Sequence, residues 1–538
     1  MVEIVIRKNV KIGAATAEED QAMLQDCFID NGDLDLLLDV EQPESIIVGR
    51  TGTGKSALLS MVENSGKDCM RVNLEELSLN YIENSSVIRS LENSGVNLDL
   101  FYQLLWRHVI AVEIIRCKFN IISDSTNRTF FTKIFEKLRG DRNKERTIEY
   151  LERFGDKFWL ETEERIKEIT NNFEKEIHAS VEAYGLGLDA GAAVGEVVTK
   201  ELIHKVKDKV MSSVQMKELN NLISIIDEDV LDDGRSFYVL IDNLDEVRIR
   251  PALKYKLIRS LIETVKKFRK IQSLKIIVAL RNDLLKKVID ETVDSGFQEE
   301  KYEDLYLRIY WRKEILKDLV NKRINNVFKM KYTSKTIDFY DVFSGKVGEE
   351  DAFEYMISRT MLRPREIIIF SNLCFHQSDG KSLVTARDIR DTEKTYSKKR
   401  VISLKEEWNS VVPELNSYFD FIRNMPSEFD VSRFNRRVAD DFVQDILMNE
   451  EEDKELHKLA VKLFESQVSR HIFLANIFST LYLVGAVGLR LSKGTSVVWS
   501  YDDEPTVDPA EIRRNTPIYT HPMLWRALNI TPVEKRNI

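Results

Sequence analysis

Excess positive charge is missing from this chain. Lysine and arginine number 79 against 89 aspartate and glutamate in 538 residues, a formal net charge of −10 with a pI near 5.5. That balance argues against a protein that coats nucleic acid with its whole surface and leaves room only for a local basic patch. Cysteine is scarce as well. Cys27, Cys69, Cys117 and Cys374 stand far apart, with no CxxC or Cys/His cluster, so neither a zinc site nor a disulfide framework is expected, and a reducing cytoplasm is the expected setting. An apolar leader is lacking: Met1-Val2-Glu3-Ile4-Val5-Ile6-Arg7-Lys8 is too short and too charged for a signal peptide and reads as mature sequence. One uncharged run, Ile472 to Leu489, approaches the length that crosses a bilayer. Asn476, Ser479 and Thr480 interrupt it, and Gly485 and Gly488 divide it into a helix-like and a strand-like half, so buried core is expected and no membrane partner. No internal repeat is present.

What is there begins at Gly49-Arg50-Thr51-Gly52-Thr53-Gly54-Lys55-Ser56, which fits the phosphate-binding P-loop at every fixed position. Ser45-Ile46-Ile47-Val48 before it reads as a buried strand, and Ala57 to Val62 after it reads as the opening of a helix. In that setting the glycines let backbone N–H groups face phosphates, and the helix N-terminus adds its positive end. Lys55 supplies a cation for the β- and γ-phosphates, and Ser56 offers a hydroxyl to Mg²⁺.

The length predicts two to four domains. An N-terminal segment, 1–44, has a helical stretch at Ala17 to Cys27 and leads into the loop strand, so it is expected to pack on the edge of the nucleotide domain. The loop half, 45–119, adds a strand at Cys69 to Asn73 and a helix at Leu98 to Cys117. Charged helical stretches dominate 120–235, an insertion with a coiled-coil-like segment at Glu161 to Glu182 and a glycine-dense one at Gly185 to Gly195. The second half of the core, 236–330, alternates strand and helix. Ser236 to Ile241 is an apolar strand, Pro251 to Lys270 a helix and Leu274 to Leu280 the next strand. Asp304 to Tyr310 and Arg312 to Phe328 complete the alternation. The fold class is α/β with a parallel sheet and right-handed crossovers. A helical lid, 331–404, and a C-terminal domain, 405–538, complete the expected organisation.

The strand ending at Ile241 delivers Asp242 in Leu240-Ile241-Asp242-Asn243-Leu244-Asp245-Glu246. Phosphoryl transfer needs a carboxylate at a strand end to hold Mg²⁺ and another to orient the attacking water. Asp242 suits the first role; Asp245 and Glu246 both suit the second. Arg281 and Asn282 follow the next apolar strand and should emerge beside Asp242, where either can sense the γ-phosphate or Arg281 can pair with Asp283 or Asp245. Arg359, Arg363 and Arg365, ahead of the apolar helix Ile367 to Phe375, either reach the phosphates from a lid or serve as caps and surface pairs.

GRTGTGKS, the much later FYVLIDNLDE and then IIVALRND together resemble the P-loop ATPases of the AAA+ and STAND groups, and the acid pattern is most similar to the NACHT-like variant. The resemblance covers about Ser45 to Phe375 without the insertion. It implies ATP and Mg²⁺ as cofactors, with Arg281 matching an arginine after the sensor strand. Arg363, Pro364 and Arg365 match a lid helix that closes on the nucleotide. Gly296-Phe297-Gln298 and Tyr310-Trp311 resemble bacterial defence-associated ATPases of this kind, which implies a homo-oligomer and a separate effector protein in antiviral defence. The chain departs from signalling STAND proteins in having no repeat array, which weighs against autonomous ligand sensing.

A basic linker is expected from Lys394 to Lys405, then helices at Val411 to Ile422, Lys454 to Phe464 and Ile472 to Leu483. Val487 to Leu491 and Ser496 to Tyr501 read as a β-hairpin, and helices followed by a hairpin suggest a winged helix. His521-Pro522-Met523-Leu524-Trp525 resembles the closing segment of that module in related ATPases, with His521 a packed residue. The acids Asp502-Asp503-Glu504 after the wing disfavour DNA, while Arg433, Arg436 and Arg437 keep it open. The leading expectation is a Mg²⁺-dependent ATPase that couples nucleotide to conformational change or oligomer assembly. A nucleotide-gated docking module with negligible turnover and a DNA-associated remodelling ATPase are the alternatives.

Overall fold

A computed structural model describes residues 4–72, 80–85, 98–118, 226–231, 234–247, 249–292, 297–332, 335–452, 454–492, 494–502 and 506–533, with positions 89, 92, 175 and 223–224 besides. The expected coiled-coil-like and glycine-dense parts of the insertion lie outside the described residues. The chain divides into two compact units. A sheet unit takes 30–50 and 55–309; a helical unit takes 1–29, 51–54 and 310–538. The first helices are α1 (Gln21–Cys27) in the helical unit and α2 (Asp33–Leu38) in the sheet unit.

The sheet unit is built on β1 (Ile46–Gly49), β2 (Asp68–Val72), β3 (Phe237–Ile241), β4 (Leu274–Arg281) and β5 (Tyr306–Arg308), all parallel in the order β2-β3-β4-β1-β5. The sequence Leu-Lys-Ile-Ile-Val-Ala-Leu of β4 is buried throughout, as a strand covered on both faces requires. It lies between β1 and β3, so one strand separates the loop from Asp242. Helices α3 (Lys55–Glu63), α4 (Asp99–Lys118), α5 (Pro251–Phe268) and α6 (Asn282–Thr292) cover the sheet. Pro251 opens α5, where its fixed φ and missing N–H cost nothing, and Leu253, Leu257, Ile258, Leu261, Ile262, Val265 and Phe268 form its buried stripe. Trp106 Nε1 of α4 donates to the Leu257 carbonyl at 2.8 Å.

The helical unit has its own core. Its N-terminal part corrects a further expectation. Helix α2 does pack on α3, but Ile6, Val10 and Ile12 are buried in the helical unit's core, and Asp20 holds Arg323 at 2.7 Å. Arg323 belongs to α7 (Lys313–Tyr332), which is followed by a short hairpin of β6 (Lys346–Val347) and β7 (Glu350–Asp351), then α8 (Pro364–Gln377) and α9 (Ala386–Trp408). The basic linker expected at 394–405 is the interior of α9. A Thr385–Asp388 capping box starts that helix, and Ile389, Tyr396, Arg400 and Leu404 sit on its buried side, with most lysines outside.

After α9 come α10 (Leu415–Ile422), β8 (Glu428–Asp430), α11 (Arg436–Asn449), α12 (Glu455–Phe464), α13 (Arg470–Leu483), β9 (Val487–Leu489) and β10 (Pro517–Thr520). The three strands form an antiparallel sheet in the order β8-β10-β9, a winged-helix-like arrangement of helices and sheet. The expected hairpin shrinks to one bridge, Leu489 to Val498, and β10 takes the other edge of β9. A Cβ on Gly488 would lie 2.7 Å from both Trp499 and Val497, so only glycine lets that segment cross β9 so closely. Helix α13 carries Phe473, Leu474, Ile477, Phe478 and Leu481 into the core, and no helix among the described residues is long and apolar enough to cross a membrane.

Candidate functional site

The loop Gly49 to Ser56 links β1 to α3 as its pattern requires, and α3 starts at Lys55. Gly52 has φ +81° and Gly54 φ +102°, a region that an L side chain seldom enters, so the turn needs glycine at both places. Lys55 Nζ donates to the carbonyls of Gly49 at 2.9 Å and Arg50 at 3.0 Å, folding the cation back over the start of the loop. Ser56 stands in the first turn of α3, half-buried.

The loop tip, 51–54, belongs to the helical unit. There Arg363 Nη1 donates to the Thr51 carbonyl at 3.0 Å, the Arg365 amide to the Gly52 carbonyl at 3.4 Å and Trp311 Nε1 to the Thr53 carbonyl at 2.7 Å. Arg363 is 2% exposed. It also pairs with Glu407 at 2.7 Å and lies 3.6 Å from Glu366, which in turn holds Arg400 at 2.7 Å. Its guanidinium thus serves protein acceptors behind the loop. Arg365 differs: its Nε is buried without a hydrogen bond, and burial pulls its pKa below the usual guanidinium value. Arg359 donates Nε to Glu393 at 2.8 Å in a buried ion pair, not the surface pair expected.

At the other end of the site β3 delivers Asp242. Its Oδ1 accepts the Asn243 N–H at 2.9 Å, and Asn243 takes φ +58°, which turns the chain so that its carbonyl accepts the Glu246 N–H at 3.0 Å. Asp242 Oδ2 is buried with no hydrogen bond. The nearest cation is Arg71 of β2, 3.8 Å away, which spends another donor on Glu63 of α3 at 3.1 Å. Strand register puts Gly49 opposite Arg281 and Ile241 opposite Val278, so the loop, Arg281 and Asp242 share one edge of the sheet. At the ordinary strand spacing, β1 and β3 lie about 10 Å apart across β4.

Arg281 binds Asp283 through two hydrogen bonds, Nε to Oδ1 at 3.0 Å and Nη2 to Oδ2 at 2.8 Å, and donates Nη1 to Asp245 at 3.0 Å. Both pairings foreseen as the alternative to phosphate sensing are therefore made. Asp245 and Glu246 are exposed. A buried carboxylate oxygen without a donor, at the same edge as the Ser56 hydroxyl, is the donor set that Mg²⁺ takes, one or two protein oxygens with the remaining positions left to water and phosphate. The residues present fit that ion. Sequence reasoning missed Trp311 and Glu407 as loop supports and Arg71 as the neighbour of Asp242. Only the position of Arg71 near the end of β2 offered a signal.

Residues 314–405, from α7 to α9, match the model of the FunZ-associated C-terminal helical domain. The chain is 22% identical over 535 residues to an 80.3 kDa protein ascribed to transposon gamma-delta of Escherichia coli (strain K12), covering 97% of this chain and 67% of that protein. Among solved structures it is similar to a Walker-type ATPase of Pyrococcus abyssi, with 12% identity and a TM-score of 0.35 over 94% of this chain and 97% of that one.

Proposed function

We propose that this chain is a Mg²⁺-dependent P-loop ATPase. The observation that carries the reading is the pairing, on one edge of a parallel sheet, of a P-loop ending in Lys55 with the buried, undonated oxygen of Asp242. Backbone N–H groups from Arg50 to Ser56 would cradle the phosphates and Lys55 would reach the β- and γ-phosphates. The Ser56 hydroxyl and Asp242, the latter through water, would hold Mg²⁺. The ion would supply positive charge to offset the negative charge of the phosphates during transfer. The orientation of the attacking water falls to Asp245 or Glu246, both exposed just past the end of β3, with the Asp245 carboxylate paired to Arg281 at 3.0 Å.

We infer further that ATP binding and hydrolysis drive a conformational change or the assembly of a homo-oligomer. The resemblance to NACHT-like ATPases supports a separate effector protein in antiviral defence and a cytoplasmic setting. A DNA-facing role has less support. The segment after β9 folds back on α13, where Val507 and Ile512 are buried and Ser479 Oγ donates to the Val507 carbonyl at 2.8 Å, which covers part of the helix a groove would receive. Arg436 and Arg437 extend from α11 beside their own Asp440, at 3.4 Å, and Asp441, at 3.9 Å. The closed Asp245–Arg281–Asp283 group favours the second reading, a nucleotide-gated docking module that retains ATP and hardly turns it over.

Steady-state phosphate release tests the assignment. Wild type should hydrolyse ATP, and Lys55→Ala and Asp242→Asn should each lower the rate at least about tenfold, given that each contributes kcal/mol-scale charge stabilisation. Equal rates in all three would end the reading. Retention of ATP through gel filtration with no release by wild type would favour the docking module.

A further inference from the structure

A trans peptide is planar, so the carbonyl of one residue and the N–H of the next point in opposite directions. The direction of an N–H that must bind an anion can therefore be set from behind, by whatever holds the carbonyl before it. The tip of the loop has such holders at three successive carbonyls: Arg363 at Thr51, the Arg365 amide at Gly52 and Trp311 at Thr53. The three peptide planes so fixed carry the N–H groups of Gly52, Thr53 and Gly54, in the part of the loop where a nest of amides receives phosphate. The Trp311 bond is the shortest of the three, and the Trp311 ring passes within 3.9 Å of the place a Cβ of Gly54 would occupy, so the indole both orients and abuts the loop. The half-buried tryptophan comes 258 residues after the threonine it holds, so the contact is made by the fold and not by the local turn.

We propose that Trp311 is a positioning residue for nucleotide binding, whose indole N–H pre-orients the loop amides that receive the phosphates. The inference rests on the ATP-site reading given above and extends it to a residue that acts through the loop backbone. It predicts a loss confined to ligands that carry phosphate groups, because adenosine alone would not use those amides.

Isothermal titration of the full chain with ATP, ADP, pyrophosphate and adenosine, well below the melting transition, tests it. Trp311→Phe keeps a ring and removes the N–H; Trp311→Tyr is the second variant should the first not fold. ATP, ADP and pyrophosphate should each bind about fivefold more weakly, the equivalent of one neutral hydrogen bond, with adenosine unchanged. Wild-type affinity for all four ligands, even beside a lowered melting temperature, would overturn the proposal and leave Trp311 as packing alone. An equal loss for adenosine would overturn it too. Lys55→Ala, titrated in parallel, separates the two claims. Undiminished ATP binding there would sink the site assignment itself, whatever the tryptophan variants show.

Discussion

Asp242 and His521 are both buried polar side chains, but the protein treats them in opposite ways. Asp242 keeps one oxygen without a donor, a costly arrangement in a protein interior unless a ligand completes it. His521 is satisfied on both ring nitrogens: Nδ1 accepts the Met523 N–H at 3.2 Å, which places the proton on Nε2, facing the Tyr501 hydroxyl at 3.0 Å. Burial, followed by Arg359, Arg363 and Arg400, pushes its pKa down to about 3 from the ordinary 6.5. A depressed histidine pKa means that the unfolded chain takes up the proton first. The stability contributed by neutral His521 is therefore full above about pH 6.5 and is lost as pH falls toward 3. The urea midpoint should fall across that window, and His521→Gln should flatten the fall while lowering stability at pH 8 by about 1–2 kcal/mol through lost hydrogen bonds; a pH series of urea melts on both proteins checks it. Residues such as Gly52, Lys55 and Asp242 were legible in the sequence because their meaning is local, a turn, a helix start or a strand end. Trp311 was not, since its partner Thr53 is near only in three dimensions.

Among elements, α9 shows why a count of charges misleads. Its lysines and arginines suggest a linker, yet Arg400 reaches inward to Glu366, while Glu393 and Glu407 collect Arg359 and Arg363. A helix whose buried face is partly ionic carries its pattern in pairs that sequence cannot match up. The strands were easier to read: β1 and β3 are apolar runs, and β4 is one apart from Lys275, each with an abrupt polar end. Their order was not, because spacing along the chain does not say which neighbour a strand takes. The ionic face makes its own prediction. Arg363→Ala should destabilise the helical unit by about 3 kcal/mol, since it strands a buried carboxylate, whereas replacing both partners, Arg363→Met with Glu407→Leu, should recover a large part. Denaturant titration of the wild type and both variants measures this, and equal losses would show that the pair is not coupled.

For the whole molecule, a ligand that binds only the folded form must raise its stability by mass action. With Mg²⁺ and ATP at a hundred times the dissociation constant, the gain should be about 2.7 kcal/mol, absent in Lys55→Ala. A melting curve with and without nucleotide reads it, and mass photometry with ATP, with ADP and with neither shows whether assembly follows the same ligand. A single mass under all three conditions would remove oligomer assembly from the proposed function.

Because β4 stands between the cradle and the acid, it acts as a ruler whose width sets the gap that a triphosphate and its ion must bridge. Lengthening or shortening the chain within 275–280 would slide Gly49 and Asp242 out of step with each other, so one such edit would blunt phosphate grip and metal capture together, although it touches neither residue.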